Sequence, residues 1–326
     1  MKTIRLVTGV CWGVAALALV GIVIWVLTGT VFGIGTSGWF KGISMGGFSW
    51  ERLTGPFNVV GTYDVSADRL DSVKVDWIAG GITVKPYDGS TIKFTESAQR
   101  ELRDDETLRY GVSGGLLTIN YHESKVGIGV NMPTKRLEVL VPRGLSEDMT
   151  RLIIDSTSGE LDIENISAKT LQLKSISGSK RLKNITADLI DIDSTSGSTK
   201  AENIVADELK INSISGSITL SDATVRRLDC DTTSGSKDLT GSFVSVKLNS
   251  ISGRITLRSA IVPDSLVVDT TSGGVTVAIP NEGAITVYHS ATSGKLSSEL
   301  PITMQGKDAQ FRFSSISGGV QIVELG

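Results

Sequence analysis

Residues 170–217 read TLQLKSISGSKRLKNITADLIDIDSTSGSTKAENIVADELKINSISGS. Within this stretch Ser-Gly recurs at Ser177, Ser196 and Ser215, 19 residues apart each time. Working outward, the pair continues at Ser158, Ser234, Ser252, Ser272, Ser293 and Ser317, so the intervals run 19, 19, 19, 19, 18, 20, 21 and 24. A period near 19 is too short for a helix-pair repeat and fits one coil of a β-solenoid.

Aligned on the glycine, the units show columns of consistent chemistry. Seven and five residues before it stand apolar pairs: Leu152 and Ile154, Leu171 and Leu173, Ile190 and Ile192, Leu209 and Ile211, Leu228 and Cys230. A mostly polar residue between the members of each pair gives the two-residue period of a strand. Four residues after the glycine a second apolar column runs through Ile163, Leu182, Ala201, Leu220, Leu239, Leu257, Val277 and Ile322. Each unit therefore supplies two strands with one inward face. The Ser-Gly pair supplies a corner, because glycine tolerates positive φ and serine can bond local backbone.

Asn165, Asn184 and Asn203, again 19 apart, mark the other bend and predict a ladder of stacked side-chain amides. Asn165 and Asn184 also begin Asn-x-Ser/Thr triplets, which the turn role explains without glycosylation. Four residues before the glycine the column reads Asp155, Lys174, Asp193, Asn212, Asp231, Asn249, Asp269. A 19-residue coil separates aspartates that would otherwise stack about 4.8 Å apart and repel, whereas a 38-residue coil would stack them. The alternation favours 19.

The template extends upstream through Val73, Val75, Gly80, Ile82 and Val84, and through Leu108, Tyr110, Gly115 and Ile119. The array is expected to run from residue 57 to the C-terminus, with an excursion between Gly115 and Leu152. About ten coils would make a rod of roughly 50 Å.

Ahead of the array, no charged residue occurs from Leu6 to Phe40, and Val7 to Leu27 is almost continuously apolar. About 20 such residues suffice to cross a bilayer, and Lys2 and Arg5 before them keep the N-terminus cytoplasmic. A cleaved signal peptide is the alternative, but its apolar region would be shorter and followed by a polar start. The expected organisation is a cytoplasmic tip and transmembrane signal-anchor at 1–33, a glycine-rich tether at 34–56 and a solenoid ectodomain at 57–326. Within the ectodomain, irregular coils fill 57–150 and regular Ser-Gly repeats 151–326. The fold class is thus all-β, a β-solenoid preceded by one N-terminal transmembrane helix.

Composition limits the function. The 40% apolar content and only 7 prolines fit a packed array rather than a disordered chain. The formal charge of −3 becomes −5 without Lys2 and Arg5, which excludes a basic nucleic-acid surface. Cys11 and Cys230, the two cysteines, fall in the apolar N-terminal run and in a core column, so they predict no disulfide.

Catalytic sets are missing. His289 falls in the column of Leu173 and Leu248, and His122 stands beside Glu123 without metal-ligand spacing. The repeated serines lie at the same place in every unit, as structural residues do, and no G-x-S-x-G elbow occurs. Cys230 reads as a buried thiol. Aspartates two coils apart are too distant to share a calcium ion. The most site-like departure is Glu96 to Arg109, with Glu101, Arg103, Asp104, Asp105 and Glu106, for which a solvated loop is the simpler reading. No catalytic, metal or cofactor-binding residue is assigned, and no cofactor is expected.

With these columns in place, the chain resembles a bacterial family of β-strand-repeat proteins called "putative adhesins", and is similar to its membrane-anchored LiaG-type members of Gram-positive envelope-stress operons. The signal-anchor, the segment Val73 to Val84 followed by Pro86-Tyr87-Asp88-Gly89, and the Ser-Thr/Ile-Ser-Gly corners carry the likeness. The resemblance implies architecture and no site residues. The expected function is a non-catalytic binding or scaffolding role outside the plasma membrane, with cell-wall glycan or an envelope protein as partner and no nucleic acid. The alternatives are an envelope-stress sensor acting through a membrane partner, and a polysaccharide-active β-helix enzyme with clustered acidic residues in the 85–150 excursion.

Overall fold

The computed structural model describes residues 56–122 and 133–326. The chain opens with β1 (Asn58–Ser66), β2 (Ser72–Ala79), β3 (Ile82–Tyr87) and β4 (Thr91–Ala98). Then follow β5 (Arg109–Ser113), β6 (Leu116–Asn120), β7 (Lys135–Pro142), a short helix α1 (Arg143–Ser146) and β8 (Met149–Ser158). The regular array comprises β9 (Leu161–Ser177), β10 (Lys180–Ser196), β11 (Thr199–Ser215), β12 (Ile218–Ser234) and β13 (Lys237–Ser252). Shorter strands finish it: β14 (Ile255–Ser259), β15 (Ser265–Ser272), β16 (Val275–Ile279) and β17 (Ile285–Ser293). The last are β18 (Leu296–Ser298), β19 (Ile302–Met304), β20 (Phe311–Ser317) and β21 (Val320–Glu324). The membrane-span and tether expectations over 1–55 lie outside the described residues, and no described helix is long and apolar enough to cross a membrane.

One long strand makes one coil. Lys180 of β10 pairs in parallel with Leu161 on one side and Thr199 on the other, which fixes the coil at 19 residues. Asp193 consequently lies between Lys174 and Asn212, never against another aspartate. Asn212 donates to Asp193 at 2.9 Å and Asn249 to Asp231 at 2.5 Å, so the alternation converts repulsion into hydrogen bonds. The 18-residue interval arises where β12 meets β13: the register slips between Leu220 and Ala223, and the corner residue has no counterpart.

Each coil contains three inward runs where two were expected. In β10 the buried residues are Lys180 and Leu182, then Ile185 and Ala187, then Ile190, Ile192 and Ser194. Buried positions two apart lie on one face, so each jump of three marks a corner that flips the pleat. At the first, Asn165, Asn184 and Asn203 take φ of 54°. Their amides form the expected ladder, Asn184 donating to Asn165 at 2.7 Å and Asn203 to Asn184 at 2.8 Å.

The Ser-Gly corner is built twice over. Gly197 has φ +96°, and a Cβ placed there would sit 2.3 Å from the Gly178 carbonyl oxygen of the preceding coil. The inward serine three residues before the glycine braces the bend, as Ser175 donates to the Ser177 carbonyl at 3.0 Å. The serine next to the glycine reaches back one coil, as Ser196 donates to the Ile176 carbonyl at 3.3 Å.

Stack order departs from chain order at both ends. At one end β2 lies between β6 and β8, and β3 between β7 and β9, so the coil formed later in the sequence stands outside the earlier one. At the other end β20 lies between β15 and β17, and β21 between β16 and β18. The expected unit at Leu108, Tyr110, Gly115 and Ile119 is instead an antiparallel hairpin, β5 against β6, with Tyr110 exposed on the outer strand. The excursion is likewise structured: β4 runs antiparallel between β7 and β1 and widens the sheet at this end.

Two substitutions separate corner glycines from ordinary ones. Gly197→Ala is expected to cost about 3 kcal/mol or more in urea unfolding, through positive φ and the carbonyl clash. Gly274→Ala, whose Cβ would meet nothing within 4 Å, should stay within about 0.5 kcal/mol of the parent.

Candidate functional site

The segment from Glu96 to Arg109 folds into a charged lock at the β7 end of the stack. Lys135 occupies the place of a corner glycine there, since the Cβ built on Gly80 points at the Lys135 carbonyl. Its ammonium is fully buried and pairs with the equally buried Glu96 at 2.7 Å. It also donates to the Glu106 carbonyl at 2.7 Å and to the Tyr121 carbonyl, and lies over the rings of Tyr121 and Trp77. Burial lowers the Lys135 pKa, and the Glu96 carboxylate opposes that shift.

Glu106 completes the lock. Arg100 holds its carboxylate with two bonds at 2.7 and 2.8 Å, the Arg103 backbone N–H donates at 2.9 Å, and the Arg103 side chain lies at 3.2 Å. The Arg100 guanidinium is the main reason its pKa falls to about 2. A general acid for glycoside hydrolysis needs the opposite shift. Glu101, Asp104 and Asp105 sit on the exposed rim, where Asp105 pairs with Arg103 at 3.3 Å while the Glu101 and Asp104 carboxylates stay outside the buried cluster. This cluster closes an end of the core and shows no arrangement for proton transfer to a ligand.

The other residues singled out in the sequence are scattered. Cys230 is buried in its core column, where burial pushes its thiol up to about 12. His289 takes the expected column on β17, paired with Phe313, at the far end of the stack from His122. His122 packs its ring edgewise on Tyr121 at 5.5 Å, and Glu123 lies outside the described residues. Among the described residues no group of three or more His, Cys, Asp and Glu could hold a metal ion.

Two buried lysines escaped the sequence reading. Lys180 and Lys237 stand two residues after corner glycines, in a column otherwise filled by residues such as Leu161, Ile218 and Ile255. Lys180 donates to the Gly178 carbonyl at 3.1 Å and to the Ser194 hydroxyl, with no carboxylate beside it, and burial lowers its pKa to about 8. Lys237 donates to the Asn249 carbonyl at 2.9 Å and to Thr232. Both ammonium groups bond backbone carbonyls from inside, Lys180 at a corner glycine and Lys237 within β13. A charged residue in an apolar column was the available signal.

What the surface does offer is a groove of about 600 Å³ along the middle run of the array. Its wall is formed by the outward residues Ser167, Thr186, Val205, Thr224 and Ser242 of five successive coils. The inward neighbours Ala168, Ala187 and Ala206 are small on three of these coils, and Val225 and Phe243 follow in the same column. Lys169, Asp188, Asp207 and Arg226 line one rim, with Arg226 paired to Asp207 at 3.2 Å. Asp148, just after α1, and Ile261, in the β14–β15 loop, complete the lining. Val205, Val244 and Ile261 present exposed aliphatic surface, and no aromatic ring or histidine lines the groove. The arrangement suits contact with an extended ligand; its carboxylates are Asp148, Asp188 and Asp207, and it offers no histidine and no aromatic stacking platform for sugar.

Coils of parallel strands with closed ends and a shallow groove define a solenoid-like repeat domain. The chain belongs to the Toastrack DUF4097 family, whose model matches residues 72–321. No curated protein matches it. Among solved structures it is similar to a "putative adhesin" from Parabacteroides distasonis ATCC 8503, with a TM-score of 0.52 and 13% identity over 83% of this chain and 98% of that one. A "putative adhesin" from Bacteroides fragilis NCTC 9343 aligns at TM-score 0.45 and 12% identity, over 82% and 97%. A "putative lipid binding protein" from Parabacteroides distasonis ATCC 8503 aligns at 0.45 and 16%, over 82% and 96%.

The buried charges give two pH limbs of the same sign, one acid and one alkaline. Glu106 has a folded pKa near 2 against 4.5, so its stabilisation is present above pH 4.5 and lost as pH falls toward 2. Glu106→Gln should flatten that acid limb and cost about 2 kcal/mol at pH 7 in urea unfolding. Lys180 is depressed from 10.5, so the full cost of burying its charge is present below about 8, and stability rises as pH increases from about 8 toward 10.5. Lys180→Met should abolish that alkaline rise.

Proposed function

We propose that the protein is a non-catalytic, adhesin-type binding scaffold of the bacterial cell envelope. In this reading the apolar segment Val7 to Leu27 is an uncleaved signal-anchor, the glycine-rich stretch is a tether, and the repeat domain stands outside the plasma membrane. The observation that carries the proposal is the groove across five coils, whose wall of hydroxyls and aliphatic side chains under a charged rim offers an extended surface for binding. The names of the similar solved structures support a binding role at the level of fold only.

The missing aromatic lining disfavours a sugar ring as the groove's occupant. An extended segment of an envelope protein fits it better, because regularly spaced hydroxyls and small apolar steps match a strand-like chain. The polysaccharide-enzyme alternative loses support from the lowered pKa of Glu106 and the dispersal of the neighbouring acids. A LiaG-type sensor role remains the second reading and rests on the N-terminal segment. It requires that replacing Val7 to Leu27 with an unrelated span abolish an envelope-stress response, whereas a scaffold would survive the exchange.

The test is capture of envelope fractions by the tagged full chain. Val205→Glu, which puts a charge at the middle of the groove, should reduce capture about tenfold. Lys200→Glu, on another outward face, should leave it unchanged. Equal capture by the Val205 variant, or reproducible cleavage of envelope glycans by the parent, would overturn the proposal.

A further inference from the structure

The interleaved ends of the stack have a mechanical consequence. In a solenoid whose stack order followed its chain order, the last coil would have one neighbour and a free end, and a pull would peel it rung by rung. Here the C-terminal strands are not the outermost ones. β20 is joined to β15 through six paired positions and to β17 through another six. β21 is joined to β16 through five and to β18 through three. Removing the C-terminus from its place requires breaking both sides together.

The outermost coil has no free end either. β17 and β18 belong to a chain-internal loop whose two ends run into β16 and, by way of β19, into β20. The same holds at the opposite end, where β2 pairs with β8 at seven positions and with β6 at five, and the outer strands β6 and β7 are chain-internal. Among the described strands only β1, paired along one side with β4, lies ahead of this arrangement.

The packing follows the topology. Bulky aromatic side chains sit inside the interleaved coils: Phe311 and Phe313 at one end, edge to face at 6.4 Å, and Trp77 at the other. Phe311 is packed in register between Leu266 and Val287, and Phe313 between Val268 and His289. Among the regular coils of β9 to β13, Phe243 is the one buried aromatic.

We propose that the interleaved ends are tension locks, which make the stack a load-bearing link between an N-terminal attachment and a partner bound along the coils. The inference rests on the anchored-scaffold reading for the source of the load, but the lock itself depends on topology alone. Under tension β1 yields first, as a strap with one neighbour. The load then reaches β2 at one end and β21 and β20 at the other, each held on both sides.

Two measurements on the full chain in detergent test this without any ligand. In the first, the chain is pulled by handles at its two termini, with and without a bismaleimide staple joining Val267→Cys to Arg312→Cys in a Cys11→Ser background. Val267 and Arg312 are paired on β15 and β20. The expected result is one short release for β1, then a large one for the stack, with the same early steps when stapled. An early C-terminal release that disappears on stapling would overturn the lock. In the second, amide exchange should be about tenfold slower across β20 and β21 than across β17 and β18, whose outward amides face no full coil. Faster exchange at 311–324 than at 285–298 would overturn the proposal. Either failure leaves the binding scaffold standing, and failed capture would leave the lock standing.

Discussion

The contact on which the stack depends is that of one corner glycine against the carbonyl oxygen of the glycine before it. Cβ atoms built on Gly159, Gly178, Gly197, Gly216, Gly235, Gly253 and Gly273 would all fall 1.9–2.3 Å from such an oxygen. The close approach lets adjacent coils keep strand spacing around a sharp bend, and any side chain at the corner would push them apart. The direction of the contact explains the one exception. Each Cβ points toward the β7 end of the stack, so the first corner in that direction meets the antiparallel strand β4 and no further corner carbonyl. That corner is Lys135, whose carbonyl receives Gly80 and whose side chain is free to turn into the core and meet Glu96. Gly294, at the opposite end, still faces the Gly318 carbonyl and remains glycine.

The same contact explains why so much of the fold is legible in the sequence. A requirement for glycine at every coil prints the period directly, and the inward leucines and isoleucines beside it print the strands. The Asn ladder and the aspartate alternation are legible because stacking places identical positions about 4.8 Å apart, where amides attract and carboxylates repel. The third inward run was not legible in the same way. Its residues are Ile166 and Ala168, Ile185 and Ala187, Ile204 and Ala206, and alanine contributes too little apolar contrast to mark a column. Those small residues lie behind the groove wall on three of its five coils.

Interleaving was hidden for a different reason: a one-dimensional alignment assumes that neighbours in sequence are neighbours in space. A trace of it is nevertheless present. Two residues before the corner glycine the sequence alternates Ile78, Thr157, Ile176, Thr195, Ile214, Thr233, Ile251 and Thr271, then breaks the pattern with Thr292 before Ile316. In stack order the last three are Thr271, Ile316 and Thr292, and the alternation is restored. The alternation therefore follows the spatial order of the coils and not their order in the chain.

Buried charge is the remaining feature that repetition cannot absorb, and its placement follows from the backbone it serves. Strand ladders satisfy their own carbonyls, whereas corners and ends leave some of them pointing inward. Lys180 meets this need at a corner and Lys237 just before one, and the partners of both are carbonyl and hydroxyl oxygens. Lys135 meets it at an end, where the carbonyls of Glu106 and Tyr121 converge and Glu96 supplies the opposing charge. Removing any one of these lysines would expose several polar atoms to an apolar interior, at a cost comparable to that of burying the ammonium itself. A perturbed ionisable group usually suggests a catalytic site. In this chain the lysines whose pKa burial lowers, Lys135, Lys180 and Lys237, lie inside the stack and satisfy its backbone, while a different set of residues lines the groove that faces solvent.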